Sequence, residues 1–224
     1  MPGSTARRAL LRFLCLLALL PAAAFARDTL AEYTLDPVHT RVMFAISHAG
    51  FSNALGTVSG STGTVVFDPD DWTRARVDVR VPIARADLGD ADWNKATLAK
   101  SLLDAEGHPE ARFVSTRVEP VDATHAKVHG DLSLRGVTRA VVLDVTLNAA
   151  KRHPMPPFRR TVGFTATTTL SRADFGITAW KSVIGDEVAL RIEAEATYDG
   201  KADEETEMET APALPAPASP EPTP

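Results

Sequence analysis

Thiols are all but absent from this sequence. Of 224 residues only Cys15 is a cysteine, so no disulfide can close within the chain and no multi-cysteine zinc site can be built from it. Long apolar runs are missing too. The stretch Phe13 to Leu20 has eight apolar residues, against about 20 needed to cross a bilayer. There is no basic stripe and no interleaving of aromatic with basic residues, which argues against nucleic acid as a partner. No serine stands in a G-x-S-x-G elbow. No segment repeats at a fixed period, and only one stretch has a helical pattern. What the chain has in quantity is alternation of apolar with polar residues.

The two ends read apart from the fold. Arg7, Arg8 and Arg12 precede the apolar run, and Pro21 and Ala24-Phe25-Ala26 follow it. A positive start, a short apolar centre and an A-x-A site predict a secretory signal peptide over residues 1–26, cut before Arg27, and hence a periplasmic protein. The arginine pair loosely resembles a twin-arginine export signal, although such pairs are common in ordinary leaders. Cys15 would leave with the leader, and the mature protein would be held by its core alone. At the other end, Lys201 to Thr210 carries Asp203, Glu204, Glu205, Glu207 and Glu209, and Ala211 to Pro224 has six prolines. Such a segment has too little apolar surface to offset its ordering entropy, which predicts a disordered acidic and proline-rich tail over residues 199–224. Residues 27–198 remain, enough for one domain with a substantial core. The whole-chain charge of −5 includes the three leader arginines, so the mature chain is near −8.

Within that domain the clearest pattern is "GDLSLRGVTRAVVLDVTL", Gly130 to Leu147. Leu132 and Leu134, then Val141, Leu143, Val145 and Leu147, fall at a spacing of two on either side of Arg135-Gly136. Two strands with one dry and one wet face, joined by a glycine turn, follow from this. The same alternation runs through Val42, Phe44, Ile46 and His48, after a break at Asp36-Pro37. It recurs through Val77, Val79, Val81 and Ile83, through Val162, Phe164, Ala166, Thr168 and Leu170, and through Val188, Leu190, Ile192, Ala194 and Ala196. Gly60 and Gly63 in the run Thr57 to Phe67 suggest bends or bulges. Only Asp90 to Asp104 is predicted helical, entered at Asp90 and stopped by Gly107-His108-Pro109. Eight or nine strands with one helical crossover predict an all-β fold, a sandwich or a closed antiparallel eight-stranded barrel. Closure is favoured because long open edges are a liability in a secreted protein. A barrel of eight strands either fills itself or holds one slender ligand, and periodicity does not choose between these.

Several short stretches resemble the YceI-like family of exported, lipocalin-like barrels that bind polyisoprenoid lipids. They are Asp36-Pro37-x-His39-Thr40 with His48-x-Gly50, Gly63 with Phe67-Asp68, "HPEARFVST" around Pro109, Phe113 and Ser115, the "GDLSLRGVT" segment, Arg172 with Asp174-Phe175-Gly176, and "VIGDEVAL". The resemblance covers about Glu32 to Ala196. One departure is visible: Leu102-Leu103 stand before Asp104 where the family usually has aromatic residues. The acidic, proline-rich tail is outside the family's pattern.

The resemblance implies that the dry faces meet a lipid chain, isoprenoid or quinone-like, with no metal and no covalent cofactor. Phe44, Val79, Val81, Leu132, Leu143, Phe164 and Leu190, each on an apolar face, are then expected to point inward and line one elongated cavity. Burying about ten CH₂ equivalents at about 0.8 kcal/mol each gives about 8 kcal/mol, near micromolar affinity before association costs. The polar residues read as structural. His39 and His48 stand near the ends of one strand, where bracing a turn or the rim is favoured over catalysis or metal binding. Arg172 and Asp174 read as a structural ion pair or turn former. His125 and His129 have helical zinc spacing, but in a strand they would be about 13 Å apart, too far to share an ion. Trp93 and Trp180 either line a mouth or plug a barrel end. The expected function is therefore a non-enzymatic lipid carrier or sequestering protein. The alternative is a filled barrel serving envelope stress or interaction without a lipid, and an enzyme ranks third.

Overall fold

The alternating segments become eleven strands in the computed structural model, which describes residues 30–198 and Gly200. The expected leader (1–26) and nearly all of the expected tail lie outside the described residues. The strands are β1 (Ala31–Leu35), β2 (Arg41–His48), β3 (Ser52–Ser59), β4 (Thr62–Phe67), β5 (Arg76–Pro82), β6 (Ala86–Asp87), β7 (Glu110–Pro120), β8 (His125–Leu134), β9 (Val137–Arg152), β10 (Arg160–Ser171) and β11 (Ile184–Tyr198). One α-helix, α1 (Ala91–Leu98), is found among the described residues, and none of their helices is long and apolar enough to cross a membrane.

Eleven segments make eight staves, because β1–β2, β3–β4 and β5–β6 are each one strand bent in the middle. All pairings are antiparallel. β11 is long enough to serve both halves of the first stave: Ile184 to Glu193 pair with β2, and Ala196 to Tyr198 pair with β1. β1 also pairs with β4, and the ring returns through β5, β7, β8, β9 and β10 to β11. The result is a closed eight-stranded antiparallel barrel, so the edges that would be a liability do not exist along most of its length.

The bend between β1 and β2 is held by side chains. Asp36 accepts from the amides of Val38 (2.7 Å) and His39 (3.1 Å) and from His39 Nδ1 (2.8 Å). Burial works against the Asp36 carboxylate, but these donors more than offset it and leave its pKa lowered; the same carboxylate raises that of His39. The fully buried Thr40 hydroxyl donates to Glu195 O (3.4 Å) and accepts from Glu195 N (3.3 Å), repairing the ladder where the strand breaks. His39 is thus an exposed turn brace, as its position suggested. The hairpin of the Gly130 to Leu147 segment also has the expected form. Arg135 and Gly136 both take positive φ (51° and 74°), the requirement of a tight twisted turn.

Helix α1 is shorter than expected. Asp90 caps it, accepting from Asp92 N and Trp93 N at 3.0 Å, but it ends at Leu98 rather than near Asp104. Beyond Ala99 the chain turns so that Leu102 and Leu103 both face the interior. The turn after Ala99, in place of a further turn of helix, carries both leucines to that side.

The barrel differs from end to end. Its base, where β4 runs into the 3-10 turn Trp72–Arg74, is packed: Tyr33, Phe67, Trp72, Ala126, Val162 and Ala196 are all buried. The upper end carries the β2–β3 turn, the crossover with α1, the Arg135-Gly136 hairpin and the segment from Arg172 to Val183. These are tied together. Arg135 donates to Gly176 O (3.1 Å) and to Lys100 O (3.0 Å), and Ala49 N donates to Val183 O (2.6 Å).

Candidate functional site

Many inward side chains of the barrel are only half-buried. Val79, Leu132, Leu143, Phe164 and Leu190 alternate with outward polar residues, yet they keep accessible surface. They keep it because they face a hollow. A cavity of about 680 Å³ runs through the barrel, within the range of about 300–1,000 Å³ typical of small-molecule sites. All seven residues expected at a lining position are brought to it: Phe44 from β2, Val79 and Val81 from β5, Leu132 from β8, Leu143 from β9, Phe164 from β10 and Leu190 from β11. Phe164 and Leu170 both touch it, six residues apart on β10. At about 3.3 Å per residue that is about 20 Å of strand, or about 15 Å of depth once strand tilt is allowed.

The floor is aromatic. Trp72 and Phe67 meet edge to face at 5.0 Å between ring centroids, and Phe67 and Phe164 do so at 5.2 Å. Such edge-on packing seals the base without hydrogen bonds. Every exposed residue of the lining lies at the opposite end, which is therefore the mouth: Ser47, Trp93, Ala96, Ala99, Ser101, Trp180 and Val183. Trp93 and Trp180 line a mouth, which decides between their two readings. His48 stands beside them, its ring 5.3 Å from that of Trp93.

The wall offers almost nothing to a polar reactant. Among the described residues that line the cavity only His48 and Arg172 carry ionisable side chains of acid–base character, and none is a carboxylate. Arg172 is buried and fully engaged. It donates to the carbonyls of Gly185 (2.7 Å), Ala179 (2.8 Å), Ile177 (2.9 Å) and Ile184 (2.9 Å). Of the two structural readings of Arg172 and Asp174, the turn holds and the ion pair does not: both stand in the 3-10 turn Arg172–Phe175, while the Arg172 side chain clamps the loop that carries Trp180 through backbone carbonyls and makes no ion pair with Asp174 among the described residues. The nearby carboxylate that matters is Asp186, which accepts from Ser171 Oγ (2.6 Å) and Ala173 N (3.0 Å) and is thereby held below its ordinary pKa. On the outer wall, His125 is bound to Asp122 (2.9 Å) and His129 to Glu119 (3.3 Å), separate partners for two histidines that were not read as a pair. Among the described residues no group of three or more His, Cys, Asp or Glu is placed to hold a metal ion.

Sequence reasoning missed Trp72 and left Phe113 out of the expected lining. Trp72 sits on a three-residue 3-10 turn, too short for any periodicity, and only its place after β4 puts it under the barrel. Phe113 does lie on an alternating strand, and its burial among the lining residues was open to the same reasoning as Phe164.

A bent eight-stave barrel, hollow above an aromatic floor, is the setting for the comparisons. The family model described as the YceI-like domain matches residues 33–196. The chain belongs to the YceI-like family. A UPF0312 protein of Pseudomonas savastanoi pv. phaseolicola is 37% identical over 149 residues, covering 66% of this chain and 77% of that one. Among solved structures, Burkholderia cenocepacia BcnA aligns with a TM-score of 0.65 at 26% identity, covering 73% of this chain and 99% of that one. A polyisoprenoid binding domain from Saccharophagus degradans, described as implicated in plant cell wall breakdown, aligns with a TM-score of 0.55 at 15% identity, covering 75% and 99%. At that identity the likeness is one of fold. The matched region takes in every stave of this YceI-like barrel and stops short of the proline-rich segment.

Proposed function

We propose that this protein binds one apolar lipid chain, polyisoprenoid or similar, inside the barrel and carries or sequesters it outside the cytoplasm without chemical change. The observation that carries the reading is the hollow itself. A cavity of about 680 Å³ whose wall is mainly aliphatic and aromatic, with no carboxylate among the described residues that line it, gives an apolar chain a dry site and leaves a polar one with unpaired groups. An empty apolar space of that size is a cost in packing that a ligand offsets. The family's fold in a polyisoprenoid binding domain points the same way. Phe44, Val79, Val81, Leu132, Leu143, Phe164 and Leu190 would contact the chain, and a small headgroup would rest at the mouth near Trp93 and Trp180. The lone engaged arginine and a histidine set against a tryptophan ring do not make an acid–base pair, which favours binding over catalysis.

Intrinsic fluorescence tests this directly, because Trp93 and Trp180 stand at the mouth and Trp72 at the floor. Titration with a polyprenol is expected to change the emission and saturate at one molecule per chain. An unchanged spectrum across the titration would count against the lipid reading. Export is part of the proposal: N-terminal sequencing of protein recovered outside the cytoplasm is expected to begin at Arg27, and a retained Cys15 would contradict it.

A further inference from the structure

Gly56 lies inside β3, paired directly with Phe44 of β2. Glycine weakens a strand interior, so its presence there calls for a physical reason. Its backbone does not supply one, for Gly56 is not among the positive-φ glycines. Space does. A Cβ built at Gly56 would fall on the tip of the Phe44 ring, with Cε1 at 2.7 Å and Cε2 at 2.9 Å. The ring of Phe44 therefore lies down sideways over the neighbouring stave, in a notch that only glycine leaves. On its other side Phe44 is paired with Leu190 of β11, which also faces the cavity. A ring lifted out of the notch has the hollow to swing into. Gly130 of β8 offers a contrast: a Cβ there would fall on the tip of the Phe113 ring, with Cε2 at 2.7 Å, but also on the backbone carbonyl of Val114 at 2.5 Å. At Gly130 the wall itself forbids a side chain, whereas at Gly56 the three nearest atoms all belong to one side chain of the lumen.

We infer that the Gly56 notch sets the bore of the cavity: by holding Phe44 flat against the wall it leaves the clearance that a methyl-branched chain needs and a straight chain does not. This rests on the lipid-binding reading and adds to it a residue that selects between chain types. A bore narrowed by part of a phenyl ring discriminates first against the methyl branches that recur along an isoprenoid.

The test uses two alcohols, geranylgeraniol and hexadecanol, which share a main-chain length and a headgroup and differ in their methyl branches. Native protein is expected to bind both. Gly56→Ala is expected to lose about tenfold or more in affinity for geranylgeraniol, the scale of one misplaced methyl in an apolar pocket, with a clearly smaller loss for hexadecanol and a nearly unchanged melting temperature. Adding Phe44→Ala to that variant removes the displaced ring and is expected to restore geranylgeraniol. If Gly56→Ala does not fold, Phe44→Trp over the native glycine takes its place and is expected to show the same selective loss. Equal losses for both alcohols, or no loss for either, would overturn the assignment of the bore to Gly56 while leaving lipid binding standing. Failure of the native protein to bind either alcohol would overturn both.

Discussion

Leu143 and Val162 separate the hollow part of the barrel from the packed part. Leu143 is half-buried against the cavity, whereas Val162 is 1% exposed in the base. Leu143→Trp therefore has room and is expected to cost less than about 1 kcal/mol of stability while filling the space of the ligand. Val162→Phe has none and is expected to cost about 1–3 kcal/mol by overpacking. Urea unfolding of both variants, with polyprenol titration of the first, checks the pair; a filled interior would make the two equally destabilising. Arg172 makes a second residue-scale prediction. Arg172→Met strips the donors from the carbonyls of Ile177, Ala179, Ile184 and Gly185, leaving polar groups unpaired in a buried setting. The expected loss is about 2–4 kcal/mol by urea unfolding, with faster amide exchange from Gly176 to Ile184. A loss under about 0.5 kcal/mol would mean that the clamp is dispensable.

The turn between β7 and β8 shows how an element is fixed by one carboxylate. Asp122 accepts from the amide of Thr124 (2.7 Å), from the amide of His125 (2.8 Å) and from His125 Nδ1 (2.9 Å), and its pKa falls from 3.8 to about 2. The backbone amide of Thr124 is the largest cause, followed by the His125 side chain. A carboxylate whose folded pKa lies below its unfolded value contributes stability above the unfolded value and loses it as pH falls through the folded one. The melting-temperature gap between native protein and Asp122→Asn is thus expected to be constant above about pH 5 and to close between about pH 4 and pH 2; a gap that persists unchanged at pH 2 would contradict this. The alternation that gave β2, β5, β8, β9, β10 and β11 is imposed by the pleat and can be read directly. The division of β3 from β4 is less visible, because Ser52 to Gly56 has little alternation of its own and takes its register from β2. The early end of α1 is invisible, since Leu102 and Leu103 leave the helix to satisfy an interior that exists only once the barrel has closed.

At the scale of the whole molecule, inward direction was readable and hollowness was not. A period of two says which side of a strand is dry. It does not say whether the opposite wall is near enough to touch. That depends on where bulk is spent, and here Tyr33, Phe67, Trp72 and Phe164 gather at the base. The lumen above it is lined mainly by aliphatics, with Phe44 and Phe113 each lying over a glycine of the neighbouring stave. Trp72 closes the floor from a turn with no periodic signal, so the feature that makes a cup of the barrel was the one the sequence hid. The central claim is that this cup holds an apolar chain in the protein as it exists. Mass spectrometry of an organic extract of the purified protein measures that most directly. The account predicts an apolar lipid, isoprenoid in its fragmentation pattern, recovered at close to one molecule per chain and lost from the Leu143→Trp variant; protein that yields no lipid and takes up none when offered a polyprenol would contradict it.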